Sequence, residues 1–212
     1  MNLITIDGPA GSGKGTIARI LSDRLDLNYL DSGAIYRVIA LFLNRNHIPN
    51  DEEQLIKQKI KDLNIVFLKT KVTLNNDDVT EEIRSEKIAK TASHISSLKS
   101  VRASILDLQR SYFQPPGLVA EGRDMGTVVF PEANKKFFLT ASTEERAARR
   151  YKQLISKGFD VNIHDLVSEI QERDDRDINR KISPLVPASD AHQIDTTFLS
   201  PDEVVNAILQ KI

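Results

Sequence analysis

Cysteine is absent from the 212 residues, which excludes a disulfide scaffold, thiolate-ligated zinc and thiol catalysis, and is compatible with a reducing compartment. Four scattered histidines argue against a structural metal as well. No apolar run approaches the ~20 residues that a membrane helix needs. The first seven residues, MNLITID, lack the basic start and apolar stretch of a signal peptide, so the cytoplasm is the expected compartment. An excess of either charge is also missing. The 29 basic and 30 acidic side chains leave a net charge of −1, which removes whole-chain attraction to a nucleic acid polymer and confines any basic task to a local site. At 40% hydrophobic and 28% charged residues the composition is that of a globular chain with one core and room for a small inserted subdomain. Glycine is scarce, yet four of the nine, Gly8, Gly11, Gly13 and Gly15, fall within eight residues.

Short apolar runs alternate with longer amphipathic stretches, the pattern of an α/β fold around a parallel sheet. Five strands are predicted, at Leu3–Ile6, Leu27–Leu30, Leu118–Ala120, Lys136–Leu139 and His192–Asp195. Ile17, Ile20, Leu21 and Leu25 recur at helical spacing after the first, and Ile35, Val38, Ile39 and Phe42 after the second. Residues 184–190, PLVPASD, read as a loop, and Ser200 with Pro201 as the entrance of a last helix running to Ile212. Between Asn64 and Thr80 the runs NIVFLKT and KVTLNNDDVT break the rhythm and read as a hairpin insertion. On pattern alone that insertion is as readily decoration as function, since surface insertions cost little.

The glycine window, GPAGSGKGT at residues 8–16, lies between a strand and a helix, the context of a phosphate-binding loop. Such a loop turns backbone N–H groups toward an anion, adds the partial charge of a helix N-terminus, and supplies the Lys14 ammonium for the β- and γ-phosphates. The common pattern has a hydroxyl after the lysine to ligate magnesium, whereas here Gly15 takes that place and Thr16 follows. A largely water-ligated ion carried by the phosphates is therefore expected, with Thr16 as a further phosphate contact. No glycine has Asp three residues before it and no NKxD occurs, which disfavours a guanine-nucleotide switch.

Three other segments carry chemistry. In DSGAIYR, residues 31–37, Asp31 or Ser32 can cap the next helix, and the same helix start can hold an acceptor phosphate, with Ser32 in the cap and Arg37 reaching forward. EGRDMGTVVF, residues 121–130, sets Arg123 and Asp124 at the carboxyl end of the third core strand. These are either solvated loop charges or substrate contacts, and that row of strand ends favours contact. ERDDRDINR, residues 172–180, reads as a solvated helix face or, at ~100° per residue, as Arg173, Asp177 and Arg180 on one face beside Arg176. Such crowding makes sense with phosphates as counter-ions; Asp174 and Asp175 are then left to serve solubility. Loop and guanidiniums together are the inventory of phosphoryl transfer between anionic nucleotides.

In this order and spacing, GPAGSGKGT, DSGAIYR, EGRDMGTVVFP and ERDDRD closely resemble bacterial cytidylate kinases of the long form, from residue 3 to about residue 196. The resemblance implies transfer of a phosphoryl group from ATP to CMP or dCMP by a monomer that binds neither a nucleic acid polymer nor a membrane. It implies one P-loop NTPase domain over residues 1–212, with a five-stranded parallel sheet of order 2-3-1-4-5, helices on both faces and a small β-rich insert. A CMP-binding insert at 62–95 and a lid at 149–180 complete it. Donor contacts fall on Gly8, Pro9, Ala10, Gly11, Ser12, Gly13, Lys14, Gly15 and Thr16, with Mg2+ carried on ATP and no metal site in the chain. Acceptor-phosphate ligands fall on Ser32, Arg37, Arg123 and Arg180, cytosine readers on Ser93, Arg102 and Asp124, and pentose contacts on Arg173 and Asp177. Lys14, Arg123 and Arg180 are the expected catalytic groups. A carboxylate suits the exocyclic amine of cytosine and a guanidinium its N3 and O2, a pairing mismatched to uracil. Ser93 and Arg102 stand in plain amphipathic helix and are reached through the resemblance alone. The rivals are another small-acceptor P-loop kinase, of UMP, AMP or shikimate type, and a P-loop protein that binds nucleotide without turnover.

Overall fold

The computed structural model describes residues 1–67, 71–156 and 158–212. Residues 68–70, at the end of the first run of the expected hairpin, and residue 157, in the expected lid, lie outside the described residues. In chain order the strands are β1 (Asn2–Asp7), β2 (Asn28–Asp31), β3 (Ile65–Phe67), β4 (Val72–Leu74), β5 (Asp77–Asp78), β6 (Gly117–Gly122), β7 (Lys135–Thr140) and β8 (His192–Asp195). The α-helices are α1 (Lys14–Leu25), α2 (Ser32–Arg45), α3 (Glu53–Ile60), α4 (Glu86–Ile95), α5 (Lys99–Ser111), α6 (Thr143–Ile155), α7 (Ile163–Asn179) and α8 (Pro201–Leu209). The chain divides into two compact units, Met1–Leu30 with Tyr112–Ile212, and Asp31–Ser111.

The first unit is built on a five-stranded sheet of order β2-β6-β1-β7-β8. With β6, β7 and β8 counted as the third, fourth and fifth core strands, this is the expected order 2-3-1-4-5. β1 runs parallel to β6, with Ile4 opposite Val119, and parallel to β7, with Ile6 opposite Phe137. β7 runs parallel to β8. The period-two alternation of a strand decides what each face meets. Ile4, Ile6, Val119, Phe137 and Leu139 join Ile17, Ala18 and Leu21 of α1 and Val204, Val205 and Ile208 of α8 in one core. Thr5 and Asp7, on the other face of β1, are buried as well. A carboxylate buried at the end of an otherwise apolar strand is the first sign of a working site.

α8 opens as its sequence requires, with Pro201 in the first turn and a reciprocal capping box between Ser200 and Glu203. It stops at Leu209 rather than running to Ile212, because its apolar face ends there and residues 210–212 are exposed. α6 and α7 pack on each other through Ala147, Leu154, Leu166 and Ile170.

In the second unit α2 packs against α4 and α3 against α5. The expected hairpin is a three-stranded antiparallel sheet, β3-β4-β5. KVTLNNDDVT does not form one strand, because Asn75 and Asn76 both adopt left-handed backbone, φ 51° and 73°, the geometry of a tight two-residue hairpin turn. Asn75 is tied to the start of β3: its Oδ1 accepts from the Asn64 N–H at 2.9 Å and its own N–H donates to the Asn64 carbonyl at 2.8 Å.

Leu21 is fully buried in the core of the first unit, so Leu21→Ala is expected to destabilise the fold by about 2–5 kcal/mol in denaturant titration. A negligible change would contradict the core described here.

Candidate active site

β1 and β6 end in register, with Asp7 opposite Gly122. The loop of residues 8–16 and the pair Arg123–Asp124 therefore leave the sheet side by side at its carboxyl edge, where α/β proteins bind ligands. Gly8 has φ 149°, and a Cβ there would lie 2.2 Å from the Leu139 carbonyl oxygen, so no side chain fits. Three loop carbonyls are held by side-chain donors. Lys14 Nζ donates to the Pro9 carbonyl at 3.0 Å, Arg146 to that of Ala10 at 3.1 Å, and Thr196 Oγ1 to that of Ser12 at 3.1 Å. A loop held in this way that runs into the N-terminus of α1 is suited to bind an anion. Thr16 is exposed, and among the described residues buried Ser12 has no hydrogen-bond partner for its Oγ.

Gly15, where a hydroxyl stands in the common loop, faces a carboxylate. A Cβ at that position would come within 2.8 Å of Glu121 Oε1, which also accepts the Tyr29 hydroxyl at 3.1 Å. Glu121 thus fills the space that a serine or threonine would occupy. Nothing in the local pattern identified Glu121 as more than a strand terminus.

The charged run of α7 is arranged differently from helical arithmetic. Arg180 is not on the helix face; it is the C-cap residue in extended backbone, φ −64° and ψ 139°, with its Nε donating to the Ser183 carbonyl. Arg176 turns to solvent and pairs with Glu172 at 3.7 Å. The cluster forms nonetheless around Asp177, whose Oδ2 meets Arg123 Nε at 3.0 Å and whose Oδ1 meets Arg180 at 3.9 Å. Burial would raise the Asp177 carboxyl, but Arg123, Arg173 and Arg180 outweigh it and hold it below the usual carboxylate range.

Asp174 overturns its reading as a solubility residue. It is 6% exposed and pairs with Arg146 at 2.6 Å, because one turn before the Asp177 cluster α7 packs against α6. Arg146 in turn donates to the carbonyls of Ala141 and Ala10. This buried pair ties α6 and α7 to the apex of the phosphate loop. Only its two ends, 28 residues apart, are present in the sequence, which is why pattern reading missed it. Asp175 is exposed, as expected.

Asp7 was also missed, though a lone acid closing MNLITID was its signal. Its two oxygens accept from the N–H groups of Met125 and Gly126, each at 2.8 Å. Burial pushes its carboxyl up to about 6, against the pull of those two donors and of Lys14.

The remaining expected residues belong to the second unit. Asp31, not Ser32, caps α2, accepting from the Ala34 N–H at 2.9 Å; Ser32 is the first helical residue, buried, with Gln109 Nε2 donating to its Oγ at 2.8 Å. Asp31 is the last residue in extended backbone, φ −92° and ψ 95°, the geometry from which a side chain folds back onto the free helix N–H groups, whereas Ser32 is already helical. Arg37 donates to the Ile83 carbonyl at 2.9 Å. Arg102 is buried, with its guanidinium 5.9 Å from the Tyr36 ring centre, and donates to the Ser96 carbonyl at 3.0 Å. Ser96 Oγ bonds the Ser93 carbonyl at 2.8 Å, so Ser93 and Arg102 are linked through the end of α4.

Comparison with known proteins matches the chain over nearly its whole length. The family model described as cytidylate kinase matches residues 4–212. The cytidylate kinase of Aeromonas hydrophila subsp. hydrophila is 50% identical over 211 residues, covering 98% of this chain and 92% of its own. That of Colwellia psychrerythraea is 50% identical over 212 residues, covering 98% and 94%. Among solved structures, an uncharacterized protein from Eubacterium ventriosum ATCC 27560 aligns with a TM-score of 0.50 at 12% identity, over 100% of this chain and 98% of that one. That last likeness is one of fold alone.

Asp174→Ala leaves Arg146 buried without its carboxylate and is expected to destabilise the protein by about 3–5 kcal/mol, whereas Asp175→Ala stays within about 0.5 kcal/mol. Equal effects in chemical denaturation would contradict the buried pair. Because the folded Asp177 carboxyl is depressed, its contribution is present above the ordinary carboxylate range and is lost as pH falls through the depressed value. Asp177→Asn is therefore expected to flatten the acid limb of the stability profile, and an unchanged limb would contradict the assignment.

Proposed function

Because the chain belongs to the cytidylate kinase family and transfers a phosphoryl group from ATP to CMP, we propose the following division of that transfer among its residues. Residues 8–16 hold the donor, with the N–H groups of the loop and the start of α1 on the β-phosphate and the Lys14 ammonium spanning the β- and γ-phosphates. Arg123 and Arg180 take the acceptor phosphate and the charge of the moving group, and Asp177, with Arg173, meets the pentose. Asp124 reads the exocyclic amine of the base. On the second unit the resemblance assigns Ser32 and Arg37 to the acceptor phosphate and Ser93 and Arg102 to cytosine. The observation that carries this reading is the register of β1 and β6, which starts the donor loop and Arg123–Asp124 from neighbouring strand ends.

In the transfer, an oxygen of the CMP phosphate bonds the γ-phosphorus as the bond to the β,γ-bridging oxygen breaks, and the electron pair leaves with ADP. An acceptor phosphate is already ionised at neutral pH, so no general base is required. Asp31, the nearest carboxylate in sequence, is committed to its helix cap. Catalysis is then positioning, charge and exclusion of water. The lid, residues 149–180, would carry Arg173, Asp177 and Arg180; its Asp177 already bonds Arg123, and an apolar cluster joins α7 to α6. The segment 62–95, with its small sheet, is assigned to acceptor binding.

Magnesium brought in on ATP would neutralise phosphate charge. Among the described residues no three His, Cys, Asp or Glu side chains gather as a ligand set, and Gly15 offers no hydroxyl. Glu121, facing Gly15, is the residue fitted to hold such an ion through its water shell.

Release of ADP, measured with ATP and CMP, dCMP, UMP or AMP, is expected to favour CMP and dCMP; preference for another acceptor, or no turnover, would overturn the reading. Lys14→Met is expected to lower kcat by roughly 10²–10³-fold, the range for losing one preorganised charge donor, while leaving KM for CMP little changed. A loss expressed only in the KM for CMP would refute the donor-side role of Lys14.

A further inference from the structure

The turn that follows Asp124 has an unusual cap. Residues Met125–Val129 form one π-helical turn, with the N–H groups of Val128 and Val129 both donating to the Asp124 carbonyl. The first N–H groups of any helical turn have no partner within it, and an aspartate at the N-cap position ordinarily accepts from them. Asp124 stands at that position and makes no capping bond. Asp7 does the capping instead, from a strand 118 residues away in sequence, with one carboxylate oxygen on the Met125 N–H and the other on the Gly126 N–H. Gly126 leaves the room for it, since a Cβ there would meet Thr5 Oγ1 at 2.9 Å and Asp7 Oδ2 at 3.4 Å.

We propose that Asp7 is a positioning residue for base selection: by spanning the N–H groups of Met125 and Gly126 it fixes the backbone from which Asp124 meets the base, and it spares Asp124 the cap. The same side chain immediately precedes Gly8, so it joins the root of the donor loop to the root of the base reader. Both of its oxygens are needed. An ionised carboxylate offers acceptors to two neighbouring N–H groups, whereas an amide offers one acceptor and sets its own N–H2 against the other. The inference rests on the reading of Asp124 as the cytosine reader, and its test separates the two.

The test compares Asp7→Asn, Asp7→Ser and Asp124→Asn with the unaltered protein, after a melting curve has shown which variants fold, by kcat/KM for CMP and for UMP. Asp7→Asn is expected to lower the CMP-over-UMP ratio by roughly tenfold, less than the ~10²-fold that an ångström of misplacement can cost, while Asp124→Asn lowers it further. Asp7→Ser, which leaves one acceptor oxygen in a smaller side chain, is expected to do the same and serves where the amide variant does not fold. Equal loss of both rates in the folded Asp7 variants, with the ratio preserved, is what a purely structural role would give and would overturn the proposal. An unchanged ratio in Asp124→Asn would instead overturn the reading on which the proposal rests.

Discussion

Asp177 is one carboxylate among three guanidiniums. It is 5% exposed, bonds Arg123 at 3.0 Å, lies 3.9 Å from Arg180 and is held ionised by Arg173 as well. A carboxylate taken out of water is expensive, and its desolvation is recovered only through good pairing of this kind. Under the division of roles proposed above, the acceptor phosphate would join this cluster, and arginine suits it with a planar fork that never deprotonates. The local structure serves that end. α7 ends at Asn179 so that Arg180 can leave the helix in extended backbone, and the Leu185 N–H returns to the Asp177 carbonyl at 2.8 Å.

β1 is the spine on which both halves of the reaction are hung. Its even residues, Ile4 and Ile6, are buried in the apolar core with α1 and α8; its last odd residue, Asp7, closes the strand with a charge. The loop that follows is not left to find its own shape, since Lys14, Arg146 and Thr196 each hold one of its carbonyls. The Arg146–Asp174 pair continues that restraint into α7. A site that works by charge and position requires such rigidity, because misplacement by an ångström forfeits most of the electrostatic gain.

The strands, the phosphate loop and the acidic and basic residues at the end of β6 were legible in the sequence because they are local: apolar runs of period two, glycines beside a lysine, charges next to buried residues. What was not legible is relational. Asp174 and Asp175 are adjacent and chemically identical, yet one is buried against Arg146 and the other is exposed. Helical arithmetic grouped Arg180 with Arg173 only by extending a helix beyond its end, and it chose Arg176 as the neighbour where the fold supplies Arg123. Gly15 read as a missing hydroxyl; with Glu121 opposite, it is a space already occupied. Asn75 and Asn76 lie inside a run that reads as β-rich, so the turn they form is masked by its neighbours. Ser93 and Arg102 had no pattern of their own, and Arg102 shows why: it is buried by what packs around its guanidinium, which its neighbours in sequence do not reveal.

The most direct test of the account is a crystal structure of the protein with CMP bound. The account requires the exocyclic amine of cytosine to donate to the Asp124 carboxylate and the phosphate to lie on the guanidiniums of Arg123 and Arg180. A base turned away from Asp124, or a phosphate held without those two arginines, would contradict it.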